Sequence, residues 1–363
     1  MSLRSTWISA ASGEKTTIGG TVLILSLLPL SWLYRAGLAI YLQCEKIGFR
    51  KRTKLPIRVV SVGNLTMGGT GKTGVVETLA RTLKQEIETA ILLRGYGGAK
   101  SREGLIVSDG SRIRADWEDS GDEAALLAHA LPGVRVVVGK DRRVTGQWAV
   151  NDLQARLVIL DDGLQYWQLS RDVDIVLVDT RNPFGNGQVM PAGMLREPIS
   201  GLRRAQVVIL THYHEAPKSR RTIVAQRMQK INPAATLHFA DYAPVGLERT
   251  TGELEDSELL RGKRVLSFCA IGSPCGFTAT LEDAGAQVVA ELFLPDHHPI
   301  SQEDVDRAMA WAERAGAEMV IATSKDWVKM KRLRIPDSFL ALRVEMMISD
   351  LDSLSSLVMG RTL

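Results

Sequence analysis

Two kinds of hydrophobic spacing alternate along most of this chain. Residues 57–63 (IRVVSVG) form a short apolar run rich in β-branched side chains, bounded by Pro56 and Gly63, and predict a buried strand. Behind it, Val76, Leu79, Ala80 and Leu83 recur at i, i+3, i+4 and i+7, one face of a helix. Residues 90–93, 134–138, 157–160, 175–178 and 207–210 predict further strands, with helical stretches such as 122–131 between several of them. Strands alternating with helices imply a parallel sheet covered on both faces. From about Leu237 to Val265 the pattern loosens around a Thr-Thr-Gly turn. A second alternation follows, with strands at 265–268, 288–293 and 319–322. Ser301 and Asp304 form a capping-box start for a helix carrying Val305, Ala308, Met309 and Ala312 on one face. The expected division is an N-terminal segment at 1–45, a main α/β domain at 46–236, a linker or hinge at 237–262 and a smaller α/β domain at 263–363.

Between the first strand and the first helix lies Thr66-Met67-Gly68-Gly69-Thr70-Gly71-Lys72-Thr73. A Gly-Lys-Thr ending in that setting is the heart of a Walker A loop. Its glycines let backbone N–H groups wrap phosphate, Lys72 reaches the β- and γ-phosphates, and Thr73 offers a hydroxyl to magnesium. The strict pattern has Gly where Thr66 stands, so the motif rests on its strand–loop–helix context. Residues 157–162 (LVILDD) supply its partner, an apolar strand delivering carboxylates at its C-terminal end, where open α/β sheets bind ligands. Magnesium takes one or two carboxylates besides phosphate oxygens and water, which makes Asp161 and Asp162 metal candidates alongside Thr73. A strand ending in a polar turn is the plainer reading of one Asp, and a poorer one of two followed by Gly163.

The N-terminal fifth breaks the alternation. No charge occurs from Thr16 to Tyr34, and residues 22–28 read VLILSLL. A nucleotide loop downstream needs cytosolic nucleotide and argues against a secretory signal. A spanning helix needs about 20 apolar residues. This run only just reaches that, and Gly19, Gly20 and Pro29 interrupt it. A helix lying in one leaflet fits better, because Lys46, Arg50, Lys51, Arg52 and Lys54 follow with only Glu45 opposing. Such a cluster is drawn to anionic lipid by about 1 kcal/mol per basic residue near the surface. A buried core helix ahead of a solvated charge run is the competing reading.

Composition mostly excludes. At 363 residues, 45% apolar and 24% charged, the chain suits two globular domains. Cys44, Cys269 and Cys275 contain no CxxC pair, so zinc-knuckle and redox-motif chemistry fall away and a reducing compartment fits. A net charge of +4 and 6% aromatics, without basic–aromatic interleaving, make no case for nucleic acid. No obligate protein partner is evident.

Four further segments separate the P-loop enzymes: Arg94-Gly95-Tyr96-Gly97-Gly98, Gly121-Asp122-Glu123, Asp161-Asp162-Gly163-Leu164-Gln165, and Pro191-Ala192-Gly193-Met194-Leu195-Arg196-Glu197-Pro198. Together with residues 63–73 and Asp296-His297-His298, in this order, the chain from about Leu28 to Met330 resembles the tetraacyldisaccharide 4'-kinase family of lipid A biosynthesis. The resemblance implies magnesium-dependent transfer of the ATP γ-phosphate to the 4'-hydroxyl of a tetraacyl disaccharide 1-phosphate. It implies two α/β domains closing on a hinge, seated monotopically on the cytoplasmic face of the bacterial inner membrane. It also implies a general base at Asp122 acting with His297. Read from the residues alone, Asp122 also fits a helix N-cap and His297 a solvated loop. Arg196 is expected to stabilise transferred charge. Glu197 is a further magnesium candidate, and Arg94 and Tyr96 are expected to position substrate or loop. His212 and His214 read as surface, because no third metal ligand accompanies them.

Two departures from the family pattern stand beside motif carboxylates without replacing them. Leu164 and Tyr166 occupy positions usually held by Phe and His, and residues 323–327 read TSKDW where the family has TEKDA. A competing function, a membrane-attached P-loop switch or transport ATPase, would need a γ-phosphate-sensing switch and a partner surface.

Overall fold

The computed structural model describes residues 3–13, 17–49, 51–272, 274–296, 298–330 and 332–361. Helices α1 (Leu3–Ser12) and α2 (Ile18–Lys46) precede β1 (Arg58–Asn64), α3 (Lys72–Leu83) and β2 (Thr89–Leu93). Next come β3 (Leu105–Asp109), α4 (Trp117–Ser120), α5 (Asp122–Ala130), β4 (Arg135–Val138), α6 (Arg142–Asn151) and β5 (Leu157–Asp161). They are followed by β6 (Val173–Asp179), β7 (Val207–Thr211), α7 (Lys218–Ile231), β8 (Thr236–Glu248) and β9 (Leu254–Glu255). The chain closes with β10 (Arg264–Cys269), α8 (Pro274–Asp283), β11 (Gln287–Phe293), α9 (Gln302–Ala315), β12 (Met319–Thr323), α10 (Ser324–Met330), β13 (Phe339–Ile348) and α11 (Leu351–Met359).

Packing divides these elements into two compact units that do not follow the continuous boundaries expected from the sequence. One comprises Met1–Ile91, Arg142–Asp241 and Ile348–Leu363; the other comprises Leu92–Asp141 and Tyr242–Met347. Residues 92–141, assigned by pattern to the main domain, therefore pack with the C-terminal strands. The expected linker at 237–262 holds a 13-residue strand, β8. Its burial is mixed rather than alternating, which is why no strand period showed.

In the first unit β1 is central, pairing in parallel with β5 on one side and β6 on the other. The parallel order continues through β7 to β8. Six of the seven β1 residues are buried, as a strand covered on both faces requires. Helix α3 buries Val75, Val76, Leu79, Ala80 and Leu83, the stripe read from the sequence plus one neighbour.

Helix α2 runs unbroken through Pro29, so the interruption expected there does not occur. Thr17 caps it, accepting a hydrogen bond from the Gly20 backbone N–H at 3.1 Å. Little of α2 is buried. Ile18, Val22, Leu25, Leu30, Trp32 (64% exposed), Leu33 (70%) and Ile40 face outward, and the helix touches its unit at few points. Ser31 Oγ accepts from Ala192 N at 2.8 Å, and the Tyr34 hydroxyl donates to the Arg196 carbonyl at 2.6 Å. This disposition contradicts the core-helix reading.

In the second unit β10 pairs in parallel with β11 and β12, and β12 with β13, while β3 and β4 form an antiparallel pair. The core gathers Leu266, Phe268, Val305, Ala308, Val320, Trp327 and Phe339. Phe268 and Phe339 meet edge-on at 5.4 Å, and burying each contributes about 1.5–3 kcal/mol. Both arms of the Ser301–Asp304 capping box form at the start of α9.

Candidate active site

The glycine-rich loop leaves the buried end of β1 and enters α3 at Gly71, whose φ of 81° is a left-handed conformation natural to glycine. No side chain caps α3, so its first-turn N–H groups point outward as an anion-binding terminus. Thr70 Oγ1 and Asn64 Nδ2 are buried beside the loop without a hydrogen-bond partner. Buried polar atoms of this kind are normally satisfied, and phosphate oxygens would satisfy both. Lys72 Nζ donates to Asn64 Oδ1 at 3.2 Å and lies 3.6 Å from Asp162 Oδ1.

The strip carrying Arg196 is laced to this loop. Met67 N donates to the Met194 carbonyl and Arg196 N to the Leu65 carbonyl, both at 2.7 Å, and Thr66 bridges Leu195. Arg196 then reaches both Asp162 oxygens, at 2.9 and 2.8 Å. Asp162 sits at φ 49°, a strained backbone for a non-glycine residue and one typical of functional sites. The next residue must be glycine, since a Cβ on Gly163 would lie 2.6 Å from Leu160 Cβ and 2.8 Å from Ser61 Oγ. Burial alone would raise the Asp162 carboxyl, but Lys72, Arg196 and Arg142 outweigh it and hold it below the usual carboxylate range.

Arg142, which the sequence reading passed over, is buried and grips the end of β5. Its guanidinium donates to the Asp161 and Asp162 carbonyls at 2.9 and 3.1 Å. Asp161 itself is buried at the strand end opposite Val62. Glu197 is otherwise engaged. Both its oxygens bind Arg204, at 2.6 and 2.7 Å, and Oε1 also accepts from Gln165 at 2.8 Å. Among the described residues no group of three or more His, Cys, Asp or Glu is arranged for a metal ion. Magnesium of the phosphate-bound kind needs few protein ligands, so a loop hydroxyl and one strand-end carboxylate suffice for it.

The second unit holds the candidate base. Asp122 is the first residue of α5, not its cap; Gly121 takes that place at φ 87°, where a Cβ would collide with the Tyr96 carbonyl. Asp122 Oδ2 lies 2.9 Å from Lys329 Nζ, an ammonium with no solvent exposure. Lys329 spends its other two donors on Asp326 Oδ1 and the His298 carbonyl, each at 3.3 Å. Asp326 accepts in turn from Thr323 Oγ1 at 2.7 Å and Ala270 N at 2.9 Å. The TSKDW segment is thus part of a buried polar chain whose middle member, Lys329, carried no motif signal beyond its place three residues after Asp326. His297 lies outside the described residues. Arg94 and Tyr96 pair with each other at 2.8 Å on an exposed loop.

Of the two histidines, His212 departs from the surface reading and His214 follows it. His212 is buried in a left-handed conformation (φ 50°) with Nδ1 3.1 Å from Asp179 Oδ2, because the chain turns inward at the end of β7. His214 is exposed and bonds Asp241 at 2.7 Å.

A loop of this form, opening on an uncapped helix with its lysine beside strand-end carboxylates, places the protein among P-loop enzymes that handle nucleoside triphosphates. Comparison with known proteins narrows that class. The family model for tetraacyldisaccharide-1-P 4'-kinase (LpxK) matches residues 23–362. The tetraacyldisaccharide 4'-kinase of Pelobacter propionicus is 37% identical over 354 residues, 96% of this chain and 95% of that protein. That of Syntrophus aciditrophicus is 38% identical over 340 residues, 91% of this chain and 90% of its own. A crystal structure of LpxK from Aquifex aeolicus in complex with ATP matches with a TM-score of 0.75 at 30% identity, over 93% of this chain and 98% of that one. The chain belongs to the tetraacyldisaccharide 4'-kinase family, a kinase of lipid A biosynthesis, and the switch or transport ATPase reading falls away.

Proposed function

We propose that the protein binds ATP at the Thr66–Thr73 loop and transfers its γ-phosphoryl group to the 4'-hydroxyl of a tetraacyl disaccharide 1-phosphate. The observation that carries this reading is the assembly of Lys72, Asp162 and Arg196 around an uncapped α3 terminus. Phosphoryl transfer is mainly positioning and charge neutralisation, which such an array supplies. Lys72 and the loop amides hold the phosphates, and Arg196, oriented by Asp162, faces the charge in transfer. Thr73 and Asp161 would hold magnesium, which when bound neutralises the β- and γ-phosphate oxygens. The 4'-oxygen attacks the γ-phosphorus, the bond to the β–γ bridging oxygen breaks, ADP departs, and the hydroxyl proton passes to Asp122, acting with His297.

The protein is read as monotopic, lying on the cytoplasmic leaflet of the inner membrane. The outward apolar face of α2 supports this, since an exposed patch of that extent on a soluble surface marks an interaction site. The deciding assay measures ADP formation with and without the tetraacyl disaccharide 1-phosphate. Turnover should depend on the lipid; steady ADP release in its absence overturns the kinase assignment.

A further inference from the structure

Where α2 ends, the first unit holds a cavity of about 300 Å³ lined by Tyr41, Glu45, Lys51, Arg52, Arg143 and Trp167, with Gln168 at its edge. Several distinct contacts build it. Residues 51–54 are strapped to 168–170 by paired backbone bonds, Thr53 N to the Gln168 carbonyl at 2.9 Å and Ser170 N to the Thr53 carbonyl at 2.8 Å. That strap sets Lys51 and Arg52 beside Trp167. The start of α6 is tied to the same loop by Arg142 N donating to the Tyr166 hydroxyl at 3.0 Å, which brings in Arg143. Tyr41 of α2 meets the Trp167 ring at 5.4 Å. Among the described lining residues the one acid, Glu45, is ion-paired with Arg52. Among the described residues the lining thus sets Lys51 and Arg143 beside an Arg52–Glu45 pair, next to two aromatics of the kind that settle at a membrane–water boundary. Ile47 and Phe49 (81% exposed), on the turn between α2 and this basic segment, add exposed apolar side chains.

We propose that this cavity binds the phosphate headgroup of an anionic glycerophospholipid, making it a discrete lipid site rather than one patch of diffuse positive charge. Lys51, Arg52 and Arg143 would hold the phosphate, and the Tyr41–Trp167 pair would lie against the glycerol and upper acyl chain. The proposal rests on the membrane reading above and lies outside the phosphate-transfer machinery.

The test measures full-length protein binding to vesicles of phosphatidylcholine alone and of phosphatidylcholine with phosphatidylglycerol. Arg143→Gln and the charge-neutral Trp167→Ala should each weaken binding to the phosphatidylglycerol vesicles at least about 5-fold. Lys230→Gln, removing the same charge from α7 outside the cavity, should change it less than about 2-fold. Kinase activity on detergent-dispersed substrate should be unchanged in Arg143→Gln, which also reports an intact fold. Equal loss in Arg143→Gln and Lys230→Gln, with Trp167→Ala silent, overturns the site in favour of diffuse attraction. Low-millimolar inorganic phosphate that displaces the wild type from vesicles assigns the cavity to a free anion and likewise overturns it. Failure of the wild type to bind any vesicle refutes the membrane reading itself, a distinct result.

Discussion

Replacing Lys329 by Met probes the buried polar chain of the second unit. The substitution keeps most of the side-chain volume and removes an ammonium that uses all three donors, on Asp122, Asp326 and the His298 carbonyl. Asp326 keeps its bonds from Thr323 and Ala270. Removing one partner of a buried ion pair costs about 3–5 kcal/mol, and the lower end applies where one carboxylate stays largely satisfied. A loss of about 3 kcal/mol in urea-induced unfolding is therefore expected. In a cycle with Asp122→Asn the two losses should be non-additive by about 1–3 kcal/mol, as for residues in direct contact. Lys329 joins Asp122 to the peptide carbonyl next to His297, so kcat should fall in Lys329→Met, measured well below its unfolding transition. The KM for ATP should barely move, a split that a general loosening of the fold would not produce. A destabilisation under about 1 kcal/mol, or simple additivity with Asp122→Asn, refutes the buried-pair account.

Lys72→Ala should abolish turnover while circular dichroism stays native, because the ammonium sits beside Asn64 and Asp162 at the glycine-rich loop rather than in the apolar core; near-normal activity would sink the nucleotide reading. Arg142→Leu should lower kcat by releasing the carbonyls of Asp161 and Asp162, with about 1.5–3 kcal/mol at stake in charged hydrogen bonds; unchanged steady-state kinetics would show that β5 holds its end without it. Burial alone would raise Asp179, but His212 and Arg181 outweigh it and bring its carboxyl down to about 2. A depressed folded value stabilises the protein above the unfolded value of about 4, and the gain, roughly 2 kcal/mol, is lost as pH falls through about 2. Asp179→Asn should flatten that acid limb in unfolding measured between pH 5 and 2; an unchanged limb would assign it to other carboxylates.

The strand β1, the loop to Thr73 and the helix face through Leu83 were legible because each has its own period and because glycine marks the turns. Asp161 and Asp162 were legible for a related reason, a strand delivering acid at its end. Arg142 and Lys329 were not, since each lies in a short helix whose pattern says nothing about a distant carbonyl or carboxylate. His212 was misread because an H-x-H after a strand looks solvated, while burial there depends on Asp179 approaching from the neighbouring strand. The packing of residues 92–141 with the C-terminal strands is likewise a long-range fact. β8 escaped notice because it has no clean two-residue alternation.

The attachment of α2 through Ser31 and Tyr34 to the strip at 192–196 has a consequence for mutational tolerance. Along its outer face, at Val22, Leu25, Leu33 and Ile40, the lipid contact proposed above is served about as well by one apolar side chain as another, so drift among Leu, Ile, Val and Phe should be nearly free. Ser31 and Tyr34 answer to a different constraint, since their oxygens hold the backbone from which Arg196 projects. A saturation scan of this helix should therefore split into two populations of position. One would be graded by hydrophobicity alone, and the other would be sharply selective for a hydroxyl at a set height on the helix.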